Sequence, residues 1–352
     1  MSAVVSAIAT PMFFRLWQHR SPGRAWAARS APRLAAAVAR AAGATGVAAD
    51  SSSWRTARVT VTSTCVVVAV VACDAAGARW VVKVPTTGES ELALTRQARN
   101  LAALHTDDRL AGWNDVVPRP LADGEAEGHR YWLEGALPGT PIGRNVLRRA
   151  DGRRLLDAAV DLVEELHART AAPVRLDYAR VAAWVDGPAG RLVPACGSRR
   201  YGDLLLVRLE RLRRELAGAL AGDWATGAWV HGDCWPGNVL AERATVTGIV
   251  DWDRAEPDQL PLHDLLHLYV LARRMTTGVE LGDVVLRALR HGLPEALGVS
   301  TERVAAWLGG LPERSAVLLY WLRHVSLFID SEGHRDNPRW FRGNVERVLL
   351  GA

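Results

Sequence analysis

The chain has 352 residues, is 49% hydrophobic, and carries a formal charge of +5 at pH 7 with four cysteines. No internal apolar run approaches the length of a membrane span, and Cys65, Cys73, Cys196 and Cys234 have neither metal-ligand spacing nor the density of a secreted disulfide framework. These features point away from a membrane protein and a disulfide scaffold, predict a cytoplasmic protein large enough for two lobes, and, because the arginines are scattered, indicate no nucleic-acid partner.

Residues 1–50 carry Arg15, Arg20, Arg24, Arg29, Arg33 and Arg40 with no acid before Asp50, and read as an N-terminal extension in which "APRLAAAVARAAG" forms a helix ending near Gly43. The acid-poor composition also suits a targeting segment, although a secretory signal places its charge ahead of the apolar stretch and Arg15 follows it. From Trp54 the pattern changes. "WRTARVTV", "CVVVAVVA" and "RWVVKVP" are β-branched runs joined by a polar turn at 62–64 and by Asp74-Ala75-Ala76-Gly77, which predicts an antiparallel meander. Lys83 falls in its third strand, where burial requires a phosphate or carboxylate partner. "ELALTRQARNLAALH" predicts a helix, and "YWLEGALPGTPI" a further strand that breaks at Pro138-Gly139.

"RRADGRRLLDAAVDLVEELHART" predicts an amphipathic helix with Leu155, Leu156, Val160, Val163 and Leu166 on one stripe and His167 as a packing or capping residue at its end. Residues 171–228 are helical and irregular, "YGDLLLVRLERLRRELAGALAG" being the clearest helix. The C-terminal part adds two amphipathic helices, "SAVLLYWLRHVSLFID" and "NPRWFRGNVERVLL". Fourteen tryptophans is a high count, and Trp229, Trp235 and Trp252 flank the most informative segment, where core packing is the first expectation.

That segment is "WVHGDCWPGNVL" at 229–240, followed thirteen residues after its Asn by the Asp of "GIVDWD". Phosphoryl transfer asks a protein mainly to position a hydroxyl and neutralise phosphate charge with a metal. Asp233 can accept the proton of an incoming hydroxyl, Asn238 offers a neutral oxygen to Mg²⁺, and Asp251 offers the carboxylate bridging metal to phosphates. "NVLAE" and "VTGIVDW" predict the hairpin that returns Asp251 beside Asn238.

The Asp-to-Asn spacing matches the protein-kinase catalytic loop, but Gly232 replaces its Arg and the metal triplet reads Asp251-Trp252-Asp253. In both respects the chain resembles the aminoglycoside phosphotransferase and choline kinase-like family of small-molecule kinases, most specifically over 229–267. The resemblance implies a bilobal α+β protein-kinase-like fold: a lobe at 51–137 with an antiparallel sheet, and a mainly helical lobe at 138–352 holding the catalytic loop and acceptor site. It implies ATP or GTP as co-substrate with Mg²⁺, and a small hydroxylated acceptor. Asp233 is then the base, with His231 packed beneath the loop and orienting it. Asn238 and Asp251 hold metal, and Asp253 joins a second ion or faces the acceptor. Lys83 contacts the phosphates, the Glu134 carbonyl and Ala136 amide read the base, and Asp264 braces the catalytic loop.

Two departures stand out. The turn at 62–64 lacks the glycines of a phosphate-covering loop, and Gln97 occupies the helix position where the family usually has the Glu that holds the lysine. Either Gln97 faces Lys83 as a neutral partner, or Glu89 or Glu91 reaches it. Both departures favour a nucleotide-binding pseudokinase scaffold, which the intact Asp233, Asn238 and Asp251 oppose. A protein kinase is a weaker alternative, because no activation segment is visible. In the implied acceptor region Arg191, Arg199, Arg200, Arg208, Arg211, Arg213 and Arg214 outweigh Asp203 and Glu210, which reads as a solvated helix face yet argues mildly against polycationic acceptors. His263 and His267 read as packing and not a zinc pair, and Cys234 as an accessible thiol.

Overall fold

The computed structural model describes residues 54–62, 66–73, 79–329 and 334–352. The expected extension at 1–50, the turns at 63–64 and 74–77, and Cys65 lie outside the described residues. The first sheet is antiparallel and five-stranded in the order β1-β2-β3-β5-β4, from β1 (Trp54–Val61), β2 (Val66–Cys73), β3 (Arg79–Pro85), β4 (Pro120–Ala126) and β5 (His129–Gly135). This is the meander that the β-branched runs predict, with β5 inserted beside β3.

Between β3 and β4 runs helix α1 (Gly88–Thr106). Thr87 caps it by accepting from the Ser90 amide, while the Ser90 hydroxyl oxygen accepts from the Thr87 amide at 3.1 Å, a capping box built on a serine. Its buried face is Leu94, Gln97, Asn100, Leu101 and Leu104. The periodicity of an ordinary core helix is therefore interrupted by two amides.

A short second sheet has the order β10-β9-β6, from β6 (Thr140–Pro141), β9 (Val239–Glu242) and β10 (Thr245–Ile249). β9 and β10 pair antiparallel, the hairpin expected between Asn238 and Asp251. A third sheet orders β11 (Glu256–Gln259), β8 (Trp224–Val230) and β7 (Ala172–Arg175).

The chain divides into two units that interleave in sequence. One combines the chain up to Ala159 with His231–Glu256, so the first sheet, α1 and the whole "HGDCWPGN…DWD" segment belong together. The other combines Val160–Val230 with Pro257–Ala352. Helix α2 (Gly152–Thr170) buries Leu155, Leu156, Val160, Val163 and Leu166, the predicted stripe. In the second unit α3 (Gly202–Leu220) buries Leu205, Leu209, Leu212, Leu216 and Leu220, a stripe at three- and four-residue steps. Helices α4 (Leu262–Thr277) and α5 (Glu313–Phe328) are buried on nearly every side over Leu262 to Val270 and Ser315 to Leu322, as central helices are.

The arginines around α3 are mostly a solvated face. Arg191, Arg200, Arg208, Arg211 and Arg214 are exposed, while Arg213 is held by Asp186 and Glu210 at 2.7 Å each, and Arg199 lies 4.2 Å over the Phe341 ring.

Candidate active site

Lys83 is buried, and the β-sheet register explains what accompanies it. In the β3–β5 pair Lys83 lies opposite Trp132, and Val81 opposite Glu134. Residues opposite one another project to the same face and residues two apart share it, so Glu134 is the diagonal neighbour of Lys83. The Lys83 ammonium contacts Glu134 Oε2 at 3.1 Å. From α1 the Gln97 amide nitrogen donates to the other carboxylate oxygen, Glu134 Oε1. A single carboxylate thus serves one cation and one neutral amide.

This corrects two expectations. Gln97 meets the carboxylate that holds Lys83, and the pairing residue is neither Glu89, which is exposed, nor Glu91 in the first turn of α1. Glu134 takes part through its side chain, whereas the sequence reading assigned it only a backbone carbonyl. Ala136 is the first residue beyond Gly135, the end of β5, and so lies outside the ladder.

The loop between β8 and β9 is fixed by a closed circuit of four hydrogen bonds. The Asp233 amide donates to His231 Nδ1 at 3.3 Å, so that nitrogen carries no proton, and His231 Nε2 donates to the Val250 carbonyl at 2.9 Å. The Val250 amide donates to the Asn238 carbonyl at 2.9 Å, and the Asn238 side-chain nitrogen donates to the Asp233 carbonyl at 3.0 Å. His231 is fully buried with both ring nitrogens engaged. Asn238 spends its nitrogen inside the circuit, leaving its oxygen for a metal. Gly232 has φ +81°, and at Gly237 the Trp235 ring occupies the place a Cβ would take, so both turns of the loop need glycine.

Trp252 secures the far side. Its ring is wholly buried, its indole N–H donates to the Ile249 carbonyl at 2.8 Å, and it lies 4.5 Å from the His231 ring and edge-on to Trp113 at 6.1 Å. The Asn100 amide of α1 donates to both the Trp252 and Ala255 carbonyls at 2.9 Å. Gln97 and Asn100, three apart on one helix face, therefore tie α1 to the lysine pair and to the Asp251–Asp253 segment.

Asp251 is exposed and adopts φ +73°, a left-handed conformation that aspartate tolerates better than most residues and that recurs at functional sites. Asp253 is pushed up to about 7, chiefly by burial, with the Asp251 and Asp233 charges acting in the same direction and Arg254 and Arg96 opposing them. Oxygen donors with repelling carboxylates fit a hard divalent cation. Among the described residues no three His, Cys, Asp or Glu side chains form a metal cage of their own.

Asp264, buried at the start of α4, faces His167 Nε2 at 3.4 Å. His267 bonds the Tyr320 hydroxyl at 3.1 Å, in keeping with packing. Trp229 and Trp252 are buried, and Cys234 is fully buried, which overturns its reading as an accessible thiol. Sequence reasoning missed Asn100, Arg96 and the Glu134 carboxylate. The available signal was a Gln and an Asn on the apolar stripe of α1, since buried amides require partners.

A profile of the phosphotransferase enzyme family matches residues 67–306. None of the curated proteins matches the sequence. Among solved structures, a thermostable mutant of aminoglycoside phosphotransferase APH(4)-Ia in ternary complex with ADP and hygromycin B is 16% identical, with TM-score 0.51, covering 85% of this chain and 95% of that one. The gentamicin-APH(2")-IIa complex is 15% identical with TM-score 0.51, covering 86% and 92%. An ethanolamine kinase from Plasmodium vivax is 10% identical with TM-score 0.50, covering 86% and 82%. These likenesses show the kinase-like fold, and the family match spans well over half of the sequence. The chain belongs to the phosphotransferase enzyme family.

Proposed function

We propose that the chain is a small-molecule kinase, transferring the γ-phosphate of ATP or GTP to a hydroxyl of a small metabolite, sugar, amino alcohol or antibiotic in the cytoplasm. The observation that carries this reading is the four-bond circuit, which holds Asp233, Asn238 and the residue before Asp251 in one frame. Asp233 takes the proton of the acceptor hydroxyl as its oxygen bonds to the γ-phosphorus and the bond to the bridging oxygen breaks, releasing ADP or GDP. His231 aims the loop. Lys83 pairs with the α- and β-phosphates, and the Glu134 carbonyl and Ala136 amide read the base. Asn238 and Asp251, with Asp253 beside them, are the residues to hold Mg²⁺, which when bound supplies charge neutralisation for the phosphate oxygens.

The presence of ADP and hygromycin B together in the APH(4)-Ia structure supports the pairing of nucleotide with hydroxylated acceptor. The scaffold reading rested partly on Gln97. Because Glu134 supplies Lys83 with a carboxylate, that ground weakens and the enzyme is favoured. Screening hydroxylated compounds for stimulated ADP or GDP release tests the proposal. At least one acceptor is expected to stimulate release that Asp233→Asn abolishes. Tight nucleotide binding without turnover on any acceptor class would return the scaffold reading.

A further inference from the structure

We infer that Glu134 is the residue that positions Lys83 for the nucleotide phosphates, and that Gln97 braces it. This rests on the kinase reading above and adds to it a relocated anchor. The position in α1 that would supply the carboxylate holds a neutral amide, and the carboxylate stands instead on β5, the strand hydrogen-bonded to β3. Both side chains are nearly closed to solvent, with 11% of Lys83 and 6% of Glu134 exposed.

The two substitutions make sense only together. With Glu134 in place, a carboxylate at position 97 would set two like charges against one ammonium, whereas an amide donor satisfies the second oxygen of Glu134 without charge. Asn100, one turn further along α1, holds the Asp251–Asp253 segment, so the helix steadies both halves of the site by neutral hydrogen bonds. The consequence concerns control. The ion pair is set by the register of the sheet, since Lys83 and Glu134 are diagonal neighbours on paired strands. Displacing α1 would break the Gln97 contact and leave Lys83 held, so the lysine anchor of this chain is not gated by the helix.

Calorimetric affinities for Mg-ATP and Mg-GTP in the folded full-length protein decide the matter. Glu134→Gln is expected to weaken the preferred nucleotide about tenfold, the factor that follows from losing a charge-assisted hydrogen bond. Gln97→Glu alone is expected to weaken it as well, through crowding. The double variant Gln97→Glu with Glu134→Gln, which moves the carboxylate back to the helix, is expected to recover affinity to within about threefold of wild type. A merely structural role for Glu134 predicts no such recovery. Should Glu134→Gln fail to fold, the double variant carries the test. A folded double variant that binds no better than Lys83→Ala overturns the inference. Should the double variant also fail to fold, Gln97→Met decides, and wild-type affinity there overturns the brace. Lys83→Ala separates this inference from the reading beneath it. Unchanged affinity in Lys83→Ala removes Lys83 from phosphate binding altogether, whereas loss in Lys83→Ala with none in Glu134→Gln overturns only the anchor.

Discussion

Two groups of ionisable side chains occupy the same unit and are built on opposite plans. In the Lys83–Glu134–Gln97 group one cation meets one anion, and the remaining carboxylate oxygen is satisfied by an amide, so the charges balance within the protein. In the Asp233–Asp251–Asp253 group burial first, and then the Asp251 and Asp233 charges, push Asp253 up to about 7, and Arg254 and Arg96 do not offset the effect. The first group is electrostatically complete without ligand. The second gains most from a cation, which is where a metal-nucleotide complex has the largest favourable interaction to contribute.

The largest break in that comparison is chemical. Asp233→Asn should lower kcat by roughly 10²–10⁴-fold, the usual contribution of a general base, with Mg-nucleotide affinity nearly unchanged. Steady-state kinetics with an active acceptor, alongside calorimetry, checks both halves. Full turnover in the variant would remove Asp233 from the mechanism.

Removing a proposed ligand of the second group comes next. Asp251→Ala should weaken Mg²⁺-dependent nucleotide binding by about a hundredfold, because even indirect supports of a metal site are worth about 10–100-fold. It should also abolish the rise in Tm that Mg²⁺ with nucleotide gives the wild type. If the thermal shift survives intact, the Asp251–Asp253 segment does not hold the ion.

A buried histidine in the other unit supplies a control in which burial keeps a group neutral. Among the described residues neither ring nitrogen of His263 has a hydrogen-bond partner, and burial above all, with Arg323 and His267 adding and Asp264 opposing, lowers its pKa from 6.5 to about 3. The folded value lies below the unfolded one. The stability that the neutral ring confers is thus fully present above pH 6.5 and is lost as pH falls toward 3, amounting to roughly 2 kcal/mol by pH 5. Chemical denaturation at pH 7 and pH 5 should show this loss in the wild type and a much smaller one in His263→Phe. Equal losses in both would assign the acid lability elsewhere.

The smallest effect sharpens the link between the two groups. Asn100→Ala leaves the Trp252 and Ala255 carbonyls without their side-chain donor and should cost about 1–3 kcal/mol of stability. It should loosen Mg-nucleotide binding more than Gln97→Met does, because it acts on the group that a ligand must complete. The reverse order would mean that α1 supports the lysine pair alone.

Much of this molecule was legible in one dimension because the relevant physics is local. Runs of β-branched residues specified the strands around Lys83, the 3.6-residue stripe specified α2, and the Asp233–Asn238–Asp251 spacing, with a hairpin between, specified the candidate catalytic segment and the family that it resembles. The partner of Lys83 was not legible, since Glu134 lies fifty-one residues away and reaches it only through the pairing of β5 with β3. Periodicity reveals which face a residue occupies, and only strand register and helix packing decide which buried amide or carboxylate meets it. The sequence by itself thus determined which groups are on offer here: the carboxylates Asp233 and Asp251, the amide of Asn238, and a lysine that needs an anion. The tertiary structure alone decided the wiring, giving Glu134 rather than an α1 residue to Lys83 and closing His231, Asp233, Asn238 and Val250 into one circuit, because a buried charge or amide is stable only beside a partner that long-range packing delivers.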